Sequence, residues 1–127
     1  IGGRSVYETR RQIGVELARE APADADAAVG LARVGLLRRT RDLDAQAVRE
    51  RAAAEPRSVE AALDCADLDL AGGHVDDAFS RLLTVLTTSA GEEREAVRVR
   101  LLELFEVVGS TDPRVVKARA RLMRALF

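Results

Sequence analysis

Cys65 and His74 are the side chains of this 127-residue sequence best suited to nucleophilic or metal chemistry, and each is the only one of its kind. One cysteine excludes an internal disulfide, a CxxC redox pair and a cysteine-based zinc site. Cys65 falls among Ala62, Ala66 and Leu68 in a helical pattern, which suits a small buried core residue. His74 follows the glycine pair Gly72–Gly73 and reads as turn filler. Glu92, Glu93 and Glu95 crowd enough carboxylate to mimic an acid–base site, but a solvated first helical turn explains them better, since acids there complement the helix dipole. There is no paired nucleophile and base, no phosphate-cradling glycine loop and no metal-ligand spacing. The expectation is a non-catalytic chain with no cofactor and no metal.

Charge narrows the partners. Nineteen of the twenty basic residues are arginine and Lys117 is the lone lysine, yet the formal net charge is −1. A nucleic-acid binder needs a clearly basic domain or face. The cluster Arg38, Arg39 and Arg41 is better placed as the cationic end of a helix, where the dipole favours it. No run approaches the roughly 18 to 20 apolar residues of a membrane span, and no signal peptide pattern is present. Neither nucleic acid nor membrane is expected as a partner, and the expected compartment is the cytoplasm. A start at Ile1 suggests a piece of a longer protein.

The elements that would position these residues are helices. Gly72–Gly73 forms the corner of a helical hairpin, because glycine enters positive φ without a Cβ penalty. After it, Val75, Ala78, Phe79, Leu82, Leu83 and Leu86 share one face at a period near 3.6. Taken in order, the pattern predicts a helix over Arg4–Glu20 carrying Val6, Ile13 and Leu17. A break at Pro22 follows, then a helix capped by Asp24 running to Thr40 with Val29, Leu31, Ala32, Val34, Leu36 and Leu37. Asp42 caps a shorter helix to Ala54, and Ser58 caps Val59–Ala71. Glu92–Val108 carries the stripe Val97, Leu101, Leu104 and Val108, plus a second one, Val99 and Leu102, expected to meet another neighbour. Gly109 ends it. Thr111 or Asp112 before Pro113 starts the last helix, to Phe127.

Seven helices, short corners and no strand signal mean an all-α fold. Pro22 and Pro56 lie 34 residues apart, and another 34 reaches Ala90. On that spacing Ala62 aligns with Ala96 and Leu70 with Leu104, although Asp69 and Arg100 interrupt inward-looking positions. A helix–turn–helix unit of this period is that of tetratricopeptide repeats, so the expected architecture is a tetratricopeptide-like α-α superhelix of about seven helices. Residues 1–21 would be an N-terminal helix and linker, and 22–127 the repeat domain.

Particular residues carry a closer resemblance. Val34–Leu37 with Arg41–Leu43, Asp67–Phe79 with Arg81–Leu83, and Glu93–Val97 are part of it. Leu104–Gly109, Asp112–Val116 and the Ala125–Leu126–Phe127 ending are its strongest part. Over these stretches the chain resembles the C-terminal domain of thioredoxin-like co-chaperones, the chaperedoxins, of actinobacterial type. The resemblance implies an upstream thioredoxin-like domain and a repeat domain that binds chaperones or unfolded clients. The implied partners are the chaperonin GroEL and DnaK-type chaperones, with the C-terminal helix in chaperonin docking. Ile1–Ala21 departs from the family pattern. The alternative is a tetratricopeptide scaffold module of an unrelated assembly.

The last helix has its own reading. Val115, Val116, Leu122, Met123, Leu126 and Phe127 fall on one broad arc, while Arg114, Lys117, Arg121 and Arg124 form a basic stripe. Either the arc packs on Val97, Leu101 and Leu104, or Leu126, Phe127 and the stripe stay exposed and dock a partner as a helix-in-groove contact. The candidate partner-binding residues are therefore Arg114, Lys117, Arg121, Arg124, Leu126 and Phe127. Arg119 falls inside the apolar arc, and a buried guanidinium needs an acid, for which Glu103 or Glu106 is the candidate.

Overall fold

A computed structural model describes the backbone of residues 21–127 and the side chains from residue 26 onward. The described residues form six helices and no strand: α1 (Ala21–Arg41), α2 (Ala45–Ala54), α3 (Val59–Ala71), α4 (Val75–Thr88), α5 (Gly91–Val108) and α6 (Pro113–Leu126). The expected helix over Arg4–Glu20 lies outside the described residues; the other six expected helices are all present. The fold is an all-α stack of antiparallel helical pairs.

Local chemistry sets the boundaries. The Ser58 side chain accepts from the Ala61 N–H and starts α3. Gly73, at φ +87°, makes the corner to α4, and Gly109, at φ +114°, ends α5. Asp112 caps α6 through the Arg114 N–H, with Pro113 in the first turn. Two caps differ from expectation. Asp44, not Asp42, caps α2, accepting from the N–H groups of Gln46 and Ala47. The backbone at Pro22 and Asp24 is already helical, so Asp24 is no cap.

α3 sits at the centre, packed against α1, α2, α4 and α5, while α4 reaches on to α5 and α6. The whole expected face of α4 is buried. Phe79 meets Phe105 of α5 edge-on, ring centroids 5.0 Å apart at 84°, a favoured aromatic geometry. Val97, Leu101, Leu104 and Val115 complete the floor of the core, each fully buried.

The repeat is less regular than the 34-residue spacing implies. α3 begins three residues after Pro56, whereas α5 begins directly after Ala90. Leu70 and Leu104 are both buried as matched, but Ala96 is exposed and Val97 takes the inward place. α1 leaves large apolar side chains open, and α5 buries less than expected. Of the apolar α1 residues whose side chains are described, only Leu36 is buried; Leu31 is 75% exposed, and Val34 and Leu37 also face outward. On α5, Val99 and Leu102 are exposed rather than sandwiched; the fully buried Val97, Leu101 and Leu104 lie on the opposite side of the helix.

Candidate protein-interaction surface

Among the described residues, Cys65, His74 and the α5 glutamates belong to no group of three or more His, Cys, Asp or Glu side chains placed to hold a metal ion. Cys65 is buried, with the Arg49 guanidinium 3.5 Å from its sulfur. His74 stands at the N-cap of α4 without a side-chain cap bond. Its ring lies beside Gly72, where an added Cβ would come within 3.3 Å of Nδ1. Glu92, Glu93 and Glu95 are exposed in or near the first turn of α5, and Glu95 pairs with Arg98.

The buried charge lies elsewhere. Asp67 has no exposed surface and Asp69 almost none. Asp67 accepts from Arg39 Nε at 2.8 Å and from Arg100 Nη1 at 2.6 Å. Asp69 accepts from Arg49 Nη1 at 2.8 Å and Arg81 Nε at 3.4 Å. Arg39 thus points inward to α3 rather than joining a basic surface cluster with Arg38 and Arg41. Every carboxylate in this network is neutralised, which leaves a clamp and no reactive group.

Surface chemistry concentrates on α6, where one helix carries three different faces. Val115, Ala118 and Leu122 are buried against the core. Val116, Met123 and Phe127 fall on a second line, 55%, 51% and 93% exposed. The expected apolar arc is therefore split: half packs and half stands open, with Leu126 in between, partly buried against the core. Arg94 Nη2 donates to the Ala125 carbonyl at 2.9 Å, fastening the end of α6 to the start of α5.

The basic stripe is the third face. Arg114, Lys117 and Arg121 line a groove between α4 and α6 of about 270 Å³, opposite Asp76 and Ser80, with Phe79 and Ala118 as its floor. A second hollow continues past Arg121 to Arg124, with Leu83, Thr87 and Ala125. Arg114 is engaged by Asp112, donating from Nε at 3.0 Å and Nη2 at 2.8 Å. Those bonds and the Arg114 N–H hold the Asp112 carboxyl down to about 2. Among the described residues, Lys117, Arg121 and Arg124 have no carboxylate within 4.0 Å.

Arg119 corrects an expectation. It is exposed and, among the described residues, pairs with neither Glu103 nor Glu106; its Cζ lies 5.4 Å over the Phe105 ring. Glu103 is instead 3.5 Å from both Arg39 and Arg100. A guanidinium laid on an aromatic face keeps its outer edge in water, so it needs no carboxylate. The sequence offered the signal, since Phe105 stands near the end of α5 and Arg119 in the middle of α6, but pairing by charge hid it.

No helix among the described residues is long and apolar enough to cross a membrane. A tetratricopeptide repeat family model matches residues 38–127. The chain is also similar to uncharacterized proteins of Mycobacterium bovis and of two strains of Mycobacterium tuberculosis, 42% identical over 69 residues. That match takes in 54% of this chain and 23% of each relative, so the chain spans about a quarter of the length of the curated relatives it matches. No solved structure matches it.

Proposed function

Because the chain belongs to the tetratricopeptide-repeat family, typically a non-catalytic scaffold for protein–protein interaction, we propose that it is the binding arm of a thioredoxin-like co-chaperone. In this reading residues 22–127 form the repeat unit, residues 1–21 lead into it from an upstream thioredoxin-like domain, and the protein works in the cytoplasm on chaperones of the GroEL or DnaK type. The resemblance of Leu104–Gly109, Asp112–Val116 and Ala125–Phe127 supports the choice of partner. The observation that carries the choice of surface is the open line Val116, Met123 and Phe127 beside the basic stripe of α6. Large apolar side chains aligned on one exposed helix face suit a helix-to-surface contact.

The test is retention of the chain on immobilised chaperonin GroEL and on a DnaK-type chaperone. Removing Phe127 together with Val116→Ser and Met123→Ser should abolish retention and leave the helical circular dichroism unchanged, because all three side chains are already exposed. Equal retention by the altered chain would reject the reading.

A further inference from the structure

The α4–α6 groove has a chemistry that the apolar end of α6 does not. Its α6 wall presents Arg114, Lys117, Arg121 and then Arg124 at spacings of three, four and three, one continuous line on a helix. Its α4 wall is Asp76, Ser80 and, further along, Thr87, mostly neutral hydroxyls. Asp76 and Asp112 both lie at the Arg114 end, so the negative charge there is spent on Arg114. From Lys117 to Arg124 the groove is cationic and unbalanced. This contrasts with the interior, where Arg39, Arg49, Arg81 and Arg100 all have carboxylates.

We propose that this groove takes an acidic segment of the partner protein, with two or three carboxylates against Lys117, Arg121 and Arg124. The inference rests on the reading of the chain as a protein-binding arm and adds the chemistry of what it holds. The cationic line from Arg114 to Arg124 is about 15 Å long at the α-helical rise, which admits about four or five extended residues. The floor of Phe79 and Ala118 is apolar and shallow, so a small apolar residue among the acids fits it. Ser80 and Thr87 supply hydroxyls for the segment's backbone. Bidentate arginine–carboxylate pairing supplies the direction.

The probe is a fluorescein-labelled peptide, Glu-Ala-Glu-Ala-Glu-Glu, titrated against the whole chain by anisotropy at low salt. The expected result is saturable binding that weakens several-fold between 50 and 200 mM salt, since the pairs are exposed to screening. Lys117→Glu with Arg121→Glu should weaken it about tenfold or more, and Lys117→Met with Arg121→Gln by a smaller factor. Arg98→Gln, on α5 and already paired with Glu95, should leave it unchanged. Full-strength binding by the charge-reversed chain overturns the proposal. So does equal binding of the Gln-for-Glu peptide, or of a thymidine oligonucleotide of equal charge. If the peptide fails while chaperonin retention persists, the groove proposal falls alone. If the peptide binds normally while retention is absent, the co-chaperone reading falls alone.

Discussion

Asp67 and Asp69 stand two positions apart on α3, both buried, and take their arginines from opposite sides of the molecule. Residues two apart on a helix point about 200° from each other. Asp67 therefore reaches Arg39 of α1 and Arg100 of α5, and Asp69 reaches Arg49 of α2 and Arg81 of α4. The pair ties all four neighbours to the central helix and fixes which helix packs on which side.

A charge clamp of this kind is costly to break by halves. Asp67→Ala leaves Arg39 and Arg100 with only the part-exposed Glu103 3.5 Å from each, and should cost about 3 kcal/mol in chemical denaturation. Asp69→Ala should cost less, because Arg49 and Arg81 are 46% and 36% exposed and can turn to water. Replacing Asp67, Arg39 and Arg100 together by Leu, Met and Met should recover most of the loss. If Asp67→Ala and the triple variant unfold at the same denaturant concentration, the clamp is not what Asp67 contributes.

These residues also show what the sequence could and could not disclose. Helix positions and the face of α4 were legible because periodicity and glycine corners act locally. Asp69 and Arg100 stood out only as flaws in an inward pattern, and Asp67 not at all. Their meaning is pairing between helices, Arg100 with Asp67 across 33 residues and Asp69 with Arg49 and Arg81, which no local period encodes. The basic stripe of α6 was visible on a helical wheel. That it lines a groove depends on how α4 crosses α6, and that Val116 and Met123 stay open depends on what fails to pack there. Leu31, Val34 and Leu37 stay exposed for the same reason: a helical pattern says that a residue is apolar, not that a neighbour covers it.

Two glycines should respond to alanine in opposite directions. Gly109 has φ +114°, which an L side chain rarely adopts, although an added Cβ would meet no atom within 4 Å. Gly109→Ala should therefore destabilise by about 1–3 kcal/mol through backbone strain alone. Gly30 lies inside α1 with helical backbone and equally open space. Gly30→Ala should stabilise by about 0.5–1 kcal/mol, since alanine loses less freedom on entering a helix. Urea midpoints of the two variants should move apart, and a shared direction of change would contradict the backbone assignment.

The start of α6 should report on acid. Arg114 bonds hold the Asp112 carboxyl down to about 2, below its ordinary 3.8. A carboxylate depressed in the folded state takes up its proton first in the unfolded chain. Its stabilising contribution is therefore complete above about pH 4 and is lost as pH falls towards 2. Asp112→Asn keeps a capping oxygen but cannot titrate. The gap in melting temperature between the parent chain and Asp112→Asn should be constant from pH 7 to 5 and close between pH 4 and 2. A gap that stays constant down to pH 2 would show that Asp112 caps without its charge.

Arg119 and Phe105 give the last test, because cation–π contact and ion pairing respond differently to substitution. Phe105 is buried and meets both Phe79 and the Arg119 guanidinium. Arg119→Ala should cost about 0.5–1 kcal/mol, the range for an exposed cation over a ring. Phe105→Leu keeps an apolar side chain but removes the ring from both contacts, and Arg119→Ala should then cost little in that background. Salt separates the alternatives further. An exposed Arg–Glu pair would weaken from 50 mM to 500 mM salt, whereas the loss on Arg119→Ala should change little, since part of it is packing of the guanidinium plane on Phe105. A double-mutant cycle in which the Phe105 and Arg119 effects simply add would show that the two side chains are neighbours without being coupled.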